Sequence, residues 1–280
     1  MIGGVREGTI SAAAYALHIA QPSLSRQMKE LEEEMGVSLF VRGNRRISLT
    51  EEGMILRKRA EEMVQLMQLT QEEISQGRRS VGGTIRIGAG ESQAFHYLSR
   101  TASEIVREYP EIRFQVVSGD TQDLMDALHN GLIDFAVIFS EVDRATYESI
   151  PLPSSDVFGV LMRRDDALAK KNCIHLSDLA GRPLIVTRGA EEHMRGMREF
   201  SALSIIATYN LVYNASLMVE DGLGIALCFE KLLNTTEDSA LVLKPLLPRF
   251  QVTGALIWKK YQAFSPAVKL FMDRIQKMQS

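Results

Sequence analysis

The stretch SAAAYALHIAQPSLSRQMKELEEEMGVSLFVRGNRRISLT, Ser11 to Thr50, decides the fold of the N-terminal part of this chain. Ser11 can cap a short helix in which Ala13 and Leu17 recur at helical spacing. His18-Ile19-Ala20 interrupts that pattern, and Pro22 stands where a first helical turn tolerates a residue without an N–H. From there Leu24, Met28, Leu31 and Met35 form one narrow stripe, with Ser25, Arg26 and Lys29 on the opposite side. A short helix that buries one stripe and offers Ser, Arg and Lys on the other suits the major groove, where Arg and Ser reach base edges or phosphates. Gly36 suits the left-handed residue that ends such a helix. Val37–Val41 and Ile47–Leu49 read as short strands around Arg42-Gly43-Asn44-Arg45-Arg46, a turn carrying three cations. A cationic hairpin beside a recognition helix places Arg against phosphates or in a minor groove. Together these elements predict a winged helix-turn-helix.

Ala12-Ala13, Leu17, Gln21-Pro22-Ser23-Leu24-Ser25, Leu31-Glu32, Gly36, Leu39-Phe40, Arg42 and Leu49-Thr50 with Gly53 follow one another in an order and spacing that resembles the DNA-binding domain of LysR-type transcriptional regulators. The expected DNA-contacting residues are Gln21, Pro22, Ser23, Ser25, Arg26, Lys29, Arg42, Arg45 and Arg46. The resemblance also implies a full helix ahead of Gly8-Thr9-Ile10, where Met1–Glu7 leave it about two turns short. Met1, Ile2 and Val5 supply only part of its apolar face. The expectation is therefore a head whose first helix is cut short, through a misplaced start or a real loss. That motivates an alternative, a ligand-binding module with impaired DNA binding.

Charge alone does not point to nucleic acid. The 280 residues carry a net charge of −3, and residues 1–80 hold 11 Lys and Arg against 11 Asp and Glu. Placement carries the reading: Glu32-Glu33-Glu34 closes the far end of the second helix, away from Arg26, Lys29 and the Arg42–Arg46 turn. No apolar run is long enough to span a bilayer, and the N-terminus has no signal-peptide apolar region, so a cytoplasmic protein is expected. Two cysteines, Cys173 and Cys228, make no disulfide framework, and the five histidines lack metal-ligand spacing. No metal or cofactor is expected.

Thr50 can cap the next helix, which reads from Glu51 to about Gln76. Leu56, Ala60, Met63, Met67, Thr70 and Ile74 are spaced 4-3-4-3-4, an a/d seam. Nothing near in sequence covers that seam, so Leu56, Ala60, Met63, Met67 and Ile74 are expected to pack against the same helix of a second copy. A homodimer places two recognition helices on a two-fold operator in double-stranded DNA. The resemblance extends this to a homotetramer built as a dimer of dimers.

Gln76 to Gly83 reads as a hinge. Beyond it strands and helices alternate, which predicts α/β architecture: strands Thr84–Ala89, Ile112–Ser118, Asp134–Phe139, Tyr147–Leu152 and Val157–Met162, with helices Phe95–Tyr109 and Thr121–Asn130 between the earlier ones. A second set follows, with helices Glu191–Phe200, Leu211–Asp221 and Pro266–Met278. Tyr109-Pro110, Gly131 with Asp134, Asp178-Leu179 with Pro183-Leu184-Ile185, and Gly222-Leu223-Gly224-Ile225-Ala226 resemble the LysR effector domain, which is similar to periplasmic binding proteins. That implies two α/β lobes joined by two crossing strands, expected near Phe158–Met162 and Leu256–Lys259. The expected division is a winged helix-turn-helix over 1–50, a linker and dimerisation helix over 51–76, a hinge over 77–83, and an effector domain over 84–280. Within the last, lobe I takes about 84–158 and 259–280, and lobe II about 159–258.

Ligands of α/β sheets collect beyond the carboxyl ends of strands, against helix N-termini. The expected effector contacts are Ser92 and Gln93 after the first strand, Asp120 and Thr121, Phe139 and Ser140, and Thr187 and Arg188. Ser92 and Gln93 would receive a carboxylate, and Arg188 would pair with an anionic small-molecule effector. Asp120 and Glu91 oppose an anion, which leaves the effector's chemistry open. A remote alternative is a serine hydrolase, since Gly90-Glu91-Ser92-Gln93-Ala94 is close to G-x-S-x-G, with His193 as a late candidate base. Gly88-Ala89-Gly90 also begins a dinucleotide fingerprint, but Gln93 stands where its third glycine belongs.

Overall fold

The computed structural model describes residues 10–42, 47–75, 82–194, 200, 203–236 and 238–277. Contacts divide the chain into one unit ending at Ser75 and a second beginning at Gln76. The shortened first helix and the cations Arg45 and Arg46 lie outside the described residues.

In the first unit, α1 (Ile10–Ala16) lays Ala13 and Ala14 against Leu24 of α2 (Gln21–Met35), with Ile10 and Met28 at the edge. The small alanines let the two backbones approach. Ser11 lies inside α1 rather than ahead of it. Leu17 and Met35, expected in the core, are 42% and 49% exposed. Leu17 falls beyond the last residue of α1, and Met35 is the last residue of α2, past the reach of so short a partner. Gly36 ends α2 at φ 69°, a left-handed conformation that costs glycine nothing.

The wing is an antiparallel pair, β1 (Phe40–Arg42) and β2 (Ile47–Leu49), with Phe40 opposite Leu49. Strand β1 starts later than the expected Val37. The amides of Leu39 and Phe40 donate to the Glu32 carboxylate at 2.8 and 3.1 Å, which ties this approach to α2 instead of to a ladder. Thr50 caps α3 (Glu51–Ser75): its Oγ1 accepts from the Gly53 amide at 3.0 Å and donates to the Ser38 carbonyl at 2.8 Å. Helix α3 has 25 residues, roughly 37 Å of rise.

The second unit alternates as predicted: β3 (Gly83–Ala89), α4 (Phe95–Glu108), β4 (Ile112–Ser118), α5 (Thr121–His129), β5 (Phe135–Ile138) and β6 (Tyr147–Arg163). Then come β7 (Ile174–His175), β8 (Pro183–Thr187), α6 (Arg188–Met194), β9 (Ser204–Tyr209) and α7 (Val212–Glu220). Strands β10 (Ile225–Phe229), β11 (Leu241–Leu247) and β12 (Gln251–Lys259) precede the closing helix α8 (Pro266–Lys277). The main sheet order is β4-β3-β5-β12-β6-β10-β8-β9. Strand β3 is parallel to β4 and β5, and β8 is parallel to β9 and β10, while β12 and β6 run against their neighbours.

Two strands expected between Tyr147 and Met162 are one continuous strand of 17 residues. Pro151 and Pro153 fall within it. The first part of β6 pairs only with β12, and a strand with one open edge accommodates proline there. The first crossing falls at the start of its expected stretch, and the second comes earlier than expected. Strand β6 changes partner between Val157, opposite Gln251, and Phe158, opposite Phe229. Strand β12 already pairs with β5 from Ala255 to Ile257, so it has crossed by Gly254, not at Leu256–Lys259. Val160 to Met162 and Leu256 to Trp258, within the expected stretches, are buried strand beyond the crossings.

Each side of these crossings has its own core. Ile85, Ile87, Leu98, Phe135 and Trp258 pack with Val268 and Phe271 of α8 on one side. Val160, Leu184, Val186 and Leu227 pack on the other, with Ile185, Val219 and Cys228 on the opposite face of that sheet. Cys228 is 1% exposed, and burial pushes its thiol up to about 12, which makes it packing rather than a reactive thiolate. Among the described residues, no helix is long and apolar enough to cross a membrane, and no group of three or more His, Cys, Asp or Glu gathers to hold a metal ion.

Candidate nucleic-acid interface and interlobe cleft

On α2 the structure separates a buried stripe from a polar face. Leu24 is 4% exposed, while Gln21, Pro22, Ser23, Arg26 and Lys29 are exposed and Ser25 is half-buried. Pro22 occupies the first turn, and no side chain caps the amides there. Gln21 Nε2 donates to Ser25 Oγ at 3.4 Å, so the expected polar contacts share one edge. Arg26 and Lys29 are not idle: Arg26 Nε lies 2.7 Å from Glu30, and Lys29 Nζ lies 3.3 Å from Glu33, each one turn along. Both pairs are solvent-exposed and therefore weak, so neither cation is firmly held by its glutamate. The Arg42 side chain lies outside what is described, as do Arg45 and Arg46.

Among the described residues, helix α3 carries an exposed apolar stripe. Met63, Met67 and Ile74 are 61%, 55% and 77% exposed, and Leu56 and Ala60 are half-buried. Off this seam, Arg57 pairs with Glu61 at 3.0 Å and Arg59 with Glu62 at 2.7 Å. A helix that solvates its charges and exposes its methionines is a helix with a face to cover.

In the second unit, a cavity of about 620 Å³ opens where the strand ends of the two sides meet. Gly90 and Glu91, Gly119, Asp120 and Thr121, and Phe139, Ser140 and Glu141 line it from β3, β4 and β5. Thr187, Gly189 and Ala190, Tyr209 and Asn210, Val212, and Phe229 and Leu232 line it from the other side, with Phe158, Phe250 and Val252 at the crossings. Of the expected contacts, Asp120, Thr121, Phe139, Ser140 and Thr187 line this space, whereas Ser92, Gln93 and Arg188 do not.

Two of these three, Gln93 and Arg188, have partners elsewhere in the chain. Ser92 is buried, and its Oγ has no hydrogen-bond partner among the described residues. The Gln93 amide, expected to meet an effector carboxylate, donates instead to Asp156 at 2.7 Å. Arg188 Nη1 lies 2.7 Å from Asp120 Oδ2, so the cation expected for an anionic effector is engaged by the chain's own carboxylate. Thr187 accepts from the Ala190 amide at 3.1 Å and caps α6. Asp120 caps α5 through the Asp123 amide at 3.0 Å.

Bonds between described residues join the two sides across the cleft. They are Arg188 to Asp120, Gln93 Nε2 donating to the Lys231 carbonyl at 2.9 Å, and the Val212 amide donating to Glu91. In the sequence Glu91 reads only as a repulsive charge. Its partner is the first amide of α7, 121 residues away, and no local pattern announces that pairing. Tyr209, Phe229 and Phe250 were also missed, because in sequence they read as ordinary strand and turn residues.

Asp156 on β6 is 2% exposed and takes the Gln93 amide at the start of the turn into α4. Burial raises its pKa, opposed by hydrogen bonds from the Gln93 and Ala94 amides. The folded state therefore holds this proton more tightly than the unfolded chain does. That contribution to stability is present below the ordinary carboxylate range and is lost as pH rises through the raised pKa. Asp156→Asn keeps an acceptor and carries no charge. Its unfolding midpoint is expected to exceed that of the parent at pH 8, with the gap narrowing towards pH 5. A variant less stable than the parent across that range would contradict the role assigned to burial.

Comparison with known proteins places these features. Residues 78–280 match the LysR substrate binding domain, and residues 4–54 match the bacterial regulatory helix-turn-helix protein of the lysR family. The chain is 32% identical to the HTH-type transcriptional regulator BsdA of Bacillus subtilis over 205 residues, which cover 71% of this chain and 70% of that one. It is 25% identical to the uncharacterized HTH-type transcriptional regulator YfeR of Shigella flexneri over 97% of this chain and 89% of that one. Among solved structures, CbnR, a LysR family transcriptional regulator, superposes with a TM-score of 0.74 at 17% identity, covering 100% of this chain and 96% of that one.

Proposed function

This chain belongs to the LysR family of transcriptional regulators, and from that premise we propose that α2 and the wing grip DNA while the interlobe cleft receives the small molecule that controls them. The chain is a DNA-binding transcriptional regulator with an effector-binding domain, and its relatives are regulators rather than enzymes. The observation that carries the DNA-reading assignment is the exposed face of α2, where Gln21, Pro22, Ser23, Arg26 and Lys29 stand free of the Ala13–Ala14–Leu24 core. Gln21, Ser25 and Arg26 read bases; Ser23, Lys29 and the wing cations Arg42, Arg45 and Arg46 hold phosphates.

Helix α3 pairs with its copy through Met63, Met67 and Ile74, with Leu56 and Ala60 at the same seam, and two heads then address a two-fold operator. A homotetramer follows if two such dimers associate. A solved relative, CbnR, has been captured with its target DNA, which supports double-stranded DNA as the partner. The working division is a DNA-binding unit with its linker helix up to Ser75 and an effector domain from about Gly82, with lobe I taking β3–β5, the outer part of β12 and α8. The chain acts in the cytoplasm, where its DNA is.

Effector binding bears on the cross-cleft bonds. A ligand that binds one closure state better than the other shifts their balance, and the change in spacing reaches the heads through α3. A screen of metabolites by thermal shift on the full chain tests this: a ligand selective for the folded cleft raises the midpoint and changes operator affinity.

The interface is tested by two substitutions on one operator. Arg26→Ala is expected to weaken specific binding by about 10- to 100-fold and to relax the preference at one base pair, each good base contact being worth about 1–3 kcal/mol. Arg45→Ala is expected to weaken binding to all sequences alike and to flatten the salt dependence by about one unit of slope. Unchanged affinity and footprint in both variants would remove these residues from the interface.

A further inference from the structure

Helix N-termini are the usual places for an anion in an α/β cleft, and here the chain's own carboxylates engage amides at or beside three of them. Asp156 takes the amides of Gln93 and Ala94 in the turn into α4, the cap Asp120 takes the Asp123 amide of α5, and Glu91 takes the first amide of α7. The cavity wall carries three carboxylates, Glu91, Asp120 and Glu141, and among its described lining residues no Lys, Arg or His. Asp120 is answered by Arg188, which lies outside the lining, and Glu91 by the Val212 amide. Glu141 is exposed at the cavity and has no hydrogen-bond or ion-pair partner among the described residues.

The rest of the wall is aromatic. Phe139 from one lobe meets Phe229 from the other at 5.3 Å, and Phe229 meets Phe158 at the crossing at 4.6 Å. Phe158 continues the row to Phe250 at 5.2 Å. The volume of about 620 Å³ is of small-molecule size.

We propose that the cleft takes a small organic cation, an ammonium group carried on an apolar body. This rests on the reading of the cleft as the effector site and names the chemistry of its ligand. The apolar body displaces water from the phenylalanine row, and a ring face attracts the ammonium through its quadrupole. Glu141 supplies the one carboxylate not already engaged within the chain. An anion of the same shape meets a wall whose described lining holds three carboxylates and no Lys, Arg or His, so its desolvation is poorly compensated there.

The test uses the full chain and three matched compounds: 3-phenylpropylammonium, 3-phenylpropanol and 3-phenylpropanoate, at one ionic strength. The ammonium is expected to raise the unfolding midpoint by several degrees and to bind at least fivefold more tightly than the alcohol by calorimetry, with no shift from the carboxylate. Glu141→Gln is expected to weaken the ammonium at least fivefold and to leave the alcohol unchanged. A carboxylate or an alcohol that binds as tightly as the ammonium would overturn the charge preference while leaving the cleft an effector site. Ammonium binding untouched by Glu141→Gln, or no binding by any of the three, would also overturn the proposal, and the metabolite screen with its operator readout decides the cleft's effector role separately.

Discussion

A Met63→Glu, Met67→Glu double variant is expected to run as a monomer and to lose at least about 100-fold in affinity for a two-fold DNA site, the scale lost when two linked binding events become independent. Both methionines lie on the 4-3-4 seam of α3 and are more than half exposed, and Ile74 further along is more exposed still. Within the first unit the core is made by Ala13, Ala14 and Leu24 and does not call on Met63 or Met67. The substitutions therefore put two charges at the proposed helix–helix interface without touching the fold of the head. Like charges at successive seam positions, facing their own copies, oppose pairing directly. Sedimentation velocity reads the mass, and anisotropy on a labelled duplex reads the affinity. A variant that stays dimeric with unchanged affinity would mean that α3 covers this stripe in another way.

Gly53→Ala is expected to collapse the junction between wing and linker helix, lowering the stability of the DNA-binding unit by about 1–3 kcal/mol and DNA affinity at least tenfold. A Cβ at Gly53 would stand 2.1 Å from the Leu39 carbonyl oxygen and 3.1 Å from the Leu49 side chain. The obstruction is backbone, so it cannot swing aside as a side chain does. Leu39 is itself fixed: its carbonyl accepts from the Thr50 amide at 3.1 Å, and its own amide donates to Glu32. Relief requires either the Thr50 cap or the Glu32 anchor to break. The second unit begins beyond this site, so its ligand responses should persist. Amide exchange that quickens across residues 39–54 and spares residues from 84 onward fits this account. Full DNA affinity in the variant would contradict it.

Several features of the fold were legible because they rest on local chemistry. Gly36 ends α2 and Thr50 caps α3 because a left-handed residue and a hydroxyl three residues before an amide are short-range requirements. Strand β4 spans Ile112–Ser118 as expected, bounded by Pro110 and by the Asp120 cap. The continuous β6 was not legible, since Pro151 and Pro153 break a strand unless one edge is open, and openness is a property of the whole sheet. The second crossing position failed for a related reason: it depends on register between strands about 100 residues apart.

The site divides in the same way. The exposed face of α2 follows from helical spacing, and the strand ends Asp120-Thr121 and Phe139-Ser140 do reach the cavity. What spacing could not reveal is which group answers which. Arg188 was expected to await an anion and meets Asp120; the Gln93 amide was expected to await a carboxylate and meets Asp156. Those partners lie 68 and 63 residues away in the chain, and only the sheet brings them together. The change matters chemically, because a cleft whose donors are already taken by its own carboxylates selects a different ligand from one whose donors are free.

The central claim is that this chain reads DNA as a dimer through α2. Selection of bound duplexes from a random pool by the full chain, followed by sequencing, tests it most directly. The account predicts enrichment of a two-fold sequence with half-sites about one helical turn apart or a multiple of that spacing, and relaxed preference at one position in each half-site when the selection is repeated with Arg26→Ala. A pool that shows no enrichment, or an enriched site without two-fold symmetry that Arg26→Ala reads identically, would contradict it.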